Sequence, residues 1–210
     1  MSTPLASSRL RRMASTPAPV PAPEEKCELC GEPIAPEHRH LLDLENRELM
    51  CACRACGVLF DRRAAGGGHY RLVSERRLHL PDFELRDEQW DELRIPVDMA
   101  FFFHHSGEGR VVAFYPGPMG ATESLLDLRA WRSLEAANPV LEGLEPDVEA
   151  LLVNRSRGAR DHWLVPIDEC YGLAGLIRAK WRGLTGGKEV WQQIESFFGS
   201  LTDRSKQWTT

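Results

Sequence analysis

Two Cys-x-x-Cys-Gly units constrain this chain more than any other feature. Cys27, Cys30 and Gly31 form the first, Cys53, Cys56 and Gly57 the second, and 22 residues separate Cys30 from Cys53. Each unit can bend into a tight knuckle whose two sulfurs face one point. The glycine after the second cysteine lets backbone N–H groups approach those sulfurs. Two knuckles joined by a short hairpin make a tetrahedral four-sulfur site, which suits zinc best and iron next. The expected ligands are Cys27, Cys30, Cys53 and Cys56, with the ion in a structural role. Between the knuckles, Leu41, Leu42, Leu44, Leu49 and Met50 supply the short strands of a ribbon that turns near Glu45-Asn46-Arg47. So small a module has too little core to fold alone, and structural zinc contributes about 10–16 kcal/mol of apparent binding energy.

Three further residues near the knuckles could ligate a metal. Cys51 lies two residues before Cys53, on the same face of a regular strand. Knuckle spacing favours Cys53 and Cys56, so Cys51 is read as a small core residue. His38 and His40 are expected to face solvent, because four sulfurs are already at hand.

Composition narrows the function classes. Of 210 residues, 42% are apolar, enough for a packed domain beside the small module, and the net charge is −5. That charge argues against charge-driven binding to nucleic acid or membrane. Five of the six cysteines fall between 27 and 56 in metal-type spacing, not a disulfide framework, which favours a reducing compartment. No run of about 18 apolar residues predicts a membrane span. Arg11-Arg12 is followed by no apolar stretch of the export type. A cytoplasmic protein is expected.

The division of the chain follows its composition. Residues 1–23, rich in Ser, Thr, Ala and Pro, read as a disordered tail. Residues 24–65 form the zinc ribbon, and Ala64-Ala65-Gly66-Gly67-Gly68 is a flexible joint. Residues 69–203 make a mixed α+β domain with a central antiparallel hairpin and C-terminal helices, and 204–210 a flexible end. Within that domain Tyr70 to Leu80 is extended and 87–93 is a short helix carrying Trp90 and Leu93. Met99 to Phe103 is apolar on both alternating faces, as in a strand buried on both sides. Ser106-Gly107-Glu108-Gly109 turns it into a return strand, Val111 to Tyr115, stopped by Pro116-Gly117-Pro118. A helix over 123–137 is expected to turn Leu125, Leu128, Trp131 and Leu134 inward. Asp147 to Asn154 reads equally as strand or helix, and Trp163 to Pro166 as a short strand. Asp168 reads as the N-cap of a helix bearing Leu173, Leu176, Ile177 and Trp181. Over 188–202, Val190, Trp191, Ile194, Phe197, Phe198 and Leu201 form an i, i+3, i+4 stripe that closes the core.

No pattern supplies an active site. His104 and His105 are strand neighbours pointing to opposite faces, so they cannot share one metal from a regular strand and read as polar caps of a hairpin end. Cys170, in the first turn of its helix, could have its thiol activated by the helix dipole, but a packed small residue is the better reading. Gly186-Gly187-Lys188 fails as a phosphate loop: Arg182 stands where the first glycine belongs and Glu189 follows the lysine. For nucleic acid, Arg54, Arg62, Arg63, Arg71, Arg76 and Arg77 form a basic sector. Glu28, Glu32, Glu37, Asp43, Glu45 and Glu48 offset it, which suits protein contact better than phosphate.

The succession CELCG, CACRACGVLF, HYRLV, IPVDMAFFFHHS, VVAFYPGPMGATES and LVPIDECYGLAGLIRAKWRGLTGGKEVWQQIESFF resembles an uncharacterised bacterial family over residues 24–203. Genes of that family tend to lie beside those of uptake NiFe-hydrogenases and their maturation factors. The resemblance carries over Cys27, Cys30, Cys53 and Cys56 as metal ligands and brings no catalytic residue. It implies a role in making or serving a hydrogenase. The expectation is a non-enzymatic accessory protein, a zinc ribbon on an α+β domain, whose partner is a hydrogenase subunit or maturation factor. Two alternatives stay open. The paired knuckles also resemble those of rubredoxin, an iron electron carrier, although the aromatic and proline residues around its knuckles are missing. The other is a zinc ribbon that binds nucleic acid.

Overall fold

The doubly apolar run Met99 to Phe103 sits where its pattern demands, in the middle of a sheet covered on both faces. A computed structural model describes residues 25–61, 68–183 and 185–209 of the chain. The expected tail of 1–23 and most of the 64–68 joint lie outside the described residues. The fold is mixed α+β with antiparallel sheets and C-terminal helices. Its large sheet has seven strands: β4 (Leu78–His79), β5 (Met99–His105), β6 (Arg110–Gly117), β7 (Gly120–Ser124), β8 (Glu149–Asn154), β9 (Asp161–Pro166) and β10 (Lys206–Gln207). They lie in the order β10-β4-β9-β8-β5-β6-β7, and among the described residues only β10 runs parallel to its neighbour.

Strand alternation sends β5 side chains into two cores. Phe101 and Phe103 join Trp163, Ile177, Ile194 and Phe198 beneath the C-terminal helices Ile167–Lys180 and Gly187–Arg204. Ala100 and Phe102 join Trp90, Trp131 and Leu134 beneath the helices Asp87–Glu92 and Leu128–Ala137. The stripe of the last helix does close the core: Val190, Ile194, Phe198 and Leu201 are buried. We number the helices α1 (Arg54–Leu59), α2 (Asp87–Glu92), α3 (Leu128–Ala137), α4 (Ile167–Lys180) and α5 (Gly187–Arg204).

Three sequence expectations change and one open reading is settled. The run Pro116-Gly117-Pro118 does not stop β6; the strand continues to Gly117 and folds back as β7, with Gly117 opposite Gly120. A proline this near a strand end removes one donor and leaves the remaining pairing intact. The helix expected from 123 therefore begins only at Leu128, where the Asp127 carboxylate accepts from the N–H groups of Arg129 and Ala130, and Leu125 stands 92% exposed. Asp147 to Asn154, open between strand and helix, contains strand β8. Asp168 is not the N-cap of α4; Pro166 holds that position and Asp168 lies in the first turn.

A second sheet of three strands carries the cysteine module, in the order β2 (Leu49–Ala52), β1 (Arg39–Asp43), β3 (Tyr70–Leu72). The third strand thus comes from beyond the joint. At the other end of the chain, Lys206–Gln207, inside the stretch expected as a flexible end, pair with Leu78–His79 as β10. Among the described residues no helix is long and apolar enough to cross a membrane.

Candidate metal centre

Strand β1 is the element that positions the site, because its two faces serve different cores. Leu41 points into a small cluster with Ala52, Cys27 and Cys56, while Leu42, one residue on, joins the main core with Val73. The first cysteine unit is a turn. Gly31 N–H donates to the Cys27 carbonyl at 2.8 Å, and Gly31 takes φ +77°, a left-handed conformation that glycine adopts without penalty. Lys26 and Pro33 bridge across its base.

The second unit departs from the expected knuckle. Cys53 is the N-cap of the short helix α1, its Sγ accepting from Cys56 N–H at 3.4 Å, and Gly57 lies within that helix. A Cβ on Gly57 would meet only ordinary contacts, 3.6 Å from Arg39 Cβ and 3.7 Å from Leu72 Cδ1. Helix geometry, and not a glycine turn, aims the second pair of sulfurs.

The four sulfurs of Cys27, Cys30, Cys53 and Cys56 all lie within 4.8 Å of one another, and Cys30 Sγ is 3.6 Å from Cys53 Sγ. A tetrahedral zinc with Zn–S bonds of about 2.3 Å separates its sulfurs by about 3.8 Å. The four cysteines stand close enough together to hold a metal ion. The electrostatics of the cluster fit as well. Burial pushes the Cys27 thiol up, but backbone hydrogen bonds from Cys53, Cys30 and Leu29 outweigh it and hold the group at about 6. Burial and the neighbouring sulfurs push Cys56 up to about 12. The Cys27 thiolate forms readily, while the Cys56 thiol gives up its proton only when a cation offsets the repulsion of the neighbouring sulfurs.

Carboxylates of the α+β domain hold the module and the segment that follows it in place. Asp147, fully buried, accepts from Arg47 Nη1 at 2.8 Å, Arg71 Nη1 at 3.3 Å and Ser106 N–H at 2.9 Å. Burial pushes this carboxyl up, but the hydrogen bonds from Ser106 and Arg47 outweigh it and hold it below its ordinary value. Glu149 accepts from Ser74 Oγ and from Arg76, and Glu169 from Arg77 and Arg204. Three arginines of the expected basic sector, Arg71, Arg76 and Arg77, are thus held in ion pairs with the main domain; Arg62 and Arg63 lie outside the described residues.

The other candidates do not come together. His104 lies 3.6 Å from Glu135 on the α3 side of the sheet, and the ring of His105 stacks with Phe103 on the other side. Cys170 is fully buried in the main core, and desolvation there raises its pKa well above the ordinary thiol value, against the lowering a helix N-terminus would give.

Around Cys51 the expectations fail in an informative way. Cys51 is half-buried and lies outside the small core, directly opposite His40 in the β1–β2 register. His38 and His40 are not free in solvent: their side chains are 10% and 30% exposed, and each has a ring nitrogen within 4.8 Å of the Cys51 sulfur. The sequence signal was the period-two spacing of the two histidines. Only the strand register adds the cysteine.

Residues 26–205 match a family described as "Family of unknown function (DUF5947)", and the chain belongs to it. No curated protein and no solved structure matches the chain.

Proposed function

We propose that this member of the DUF5947 family is a non-enzymatic, metal-binding accessory protein. In this reading Cys27, Cys30, Cys53 and Cys56 hold one structural zinc ion, and the ribbon it folds makes contact with a protein partner. The observation that carries the reading is the set of four sulfurs within 4.8 Å of one another on a module with almost no core of its own. Contact with a protein is supported by α1, the helix that carries Cys56. Its Val58 and Leu59 are 69% and 61% exposed, a pair of apolar side chains presented beside the metal centre. The ion pairs that occupy Arg71, Arg76 and Arg77 weigh against a phosphate-binding face.

The partner we propose is a subunit or maturation factor of a NiFe-hydrogenase, on the strength of the sequence resemblance and its gene neighbourhood. The test is co-expression of the tagged full chain with hydrogenase subunits and maturation factors. Capture of one of them by the wild-type chain, and loss of capture in a Val58→Asp, Leu59→Asp variant that keeps its zinc, is the expected result. No capture, or capture indifferent to the two substitutions, contradicts it.

A further inference from the structure

On the opposite face of the β1–β2 ribbon from Leu41 and Ala52, the chain assembles a second set of metal-type donors. His38, His40 and Cys51 each place a ligand atom within 4.8 Å of the other two. Both imidazoles are already oriented. His38 Nδ1 lies 2.9 Å from the Ala35 carbonyl, so Nδ1–H donates there and Nε2 keeps its lone pair. His40 Nδ1 lies 2.8 Å from Asp168 Oδ2, which fixes that ring from α4 in the same way. A carbonyl or carboxylate behind Nδ1, with Nε2 free to ligate, is the usual outer support of a metal-binding histidine.

A second, independent observation points to a ligand. His38 Nε2 is buried and has no hydrogen-bond partner among the described residues. A buried lone pair left unpaired is a cost the fold carries unless something fills it. Carboxylates lie close by: Glu28 Oε2 accepts from Cys51 N–H, and Glu25 Oε2 lies 3.7 Å from His38 Nδ1. With Asp168, these carboxylates offset the charge of a bound cation.

We propose that His38, His40 and Cys51 form a second metal site, separate from the four-cysteine centre, for a borderline-soft divalent transition ion of the Zn2+ type. Two imidazoles and one thiolate match that ion's preference. Three protein ligands leave a fourth position for water or an incoming donor, so this site exchanges its metal where the four-sulfur site does not. Binding displaces the proton of the Cys51 thiol, and any proton on His40 Nε2, to solvent. The site does not depend on the proposed partner, and its failure would leave the structural zinc reading intact.

The test uses the full chain, freed of loosely held metal on a weak chelating resin and then titrated with Co2+. The wild type is expected to take up about one further equivalent, with a thiolate-to-cobalt charge-transfer band, while its zinc stays bound. Cys51→Ser should abolish that band and weaken cobalt binding about tenfold or more, with zinc content and melting temperature unchanged. His38→Gln is the second variant, and it should weaken binding to a similar extent. A wild type that takes no further cobalt, or cobalt that only replaces the tightly held zinc, overturns the proposal. So do two variants that bind cobalt with the wild-type spectrum and affinity.

Discussion

At the residue scale the consequences rest on a few side chains whose partners are fixed. Replacing Cys56 by Ala removes one sulfur from a cluster that stands in for a core. The expected result is loss of the tightly held zinc and of the ribbon strands, on the scale of the about 10–16 kcal/mol that structural zinc contributes. Zinc content and the near-ultraviolet spectrum check it together. Asp147→Asn keeps a residue that tolerates the left-handed backbone found there, φ +69°, and removes only the charge facing Arg47 and Arg71. Its expected cost is about 1.5–3 kcal/mol by urea unfolding. Because the folded-state pKa of Asp147 is depressed, its contribution is fully present above the unfolded value of about 3.9 and is lost as pH falls toward the folded value. The stability gap between wild type and variant should therefore stay constant above about pH 5 and shrink below about pH 4. A gap that widens in acid would contradict this role of Asp147. The cysteine tetrad was legible in the sequence because its spacing is local. Asp147 and the His38–His40–Cys51 set were not, since each depends on residues that meet only through strand register or docking.

At the scale of elements, periodicity told most where burial is one-sided or complete. The last helix shows its stripe along the chain, and the Met99 to Phe103 run shows a strand covered twice. The reading failed between 116 and 127, where a hairpin closed by Pro118 and Met119 joins β6 to the edge strand β7. The buried apolar pattern there is weak: β7 buries only Ser124, so nothing in its hydrophobicity separates it from the start of a helix. The entry to α5 offers a sharper test. Gly186 has φ +84°, and a Cβ there would lie 2.8 Å from Val190 Cγ1 and 3.0 Å from the Trp181 ring. Gly186→Ala should thus destabilise by about 1 kcal/mol or more, where an unstrained Gly→Ala change stabilises by about 0.4–1 kcal/mol. Leu42→Ala, at the strand face that enters the main core, should cost about 2–5 kcal/mol. Thermal unfolding of the two variants distinguishes a strained turn from a lost contact.

At the scale of the whole molecule, the ribbon is not an appendage on a tether. Leu42 and Val73 enter the main core, and Asp147, Glu149 and Glu169 pin arginines of the module or of the segment that follows it. The two sheets nevertheless draw on different sources of stability. The seven-stranded sheet has helices on both faces, whereas the small sheet has a few apolar side chains and four sulfurs. Metal removal by a strong chelator should therefore expose the amides of β1, β2 and β3 to hydrogen exchange while those of β5 and β8 stay protected. Uniform loss of protection, or none, would contradict that division. The central claim is the ion itself, and it is tested most directly by elemental analysis with a visible spectrum. The sample is the full chain after a weak chelating resin, recorded before and after reduction. The account predicts one zinc per chain and no colour. One iron per chain, with a red absorbance that bleaches on reduction, would make the protein an electron carrier, and a folded ribbon without metal would contradict the four-cysteine centre altogether.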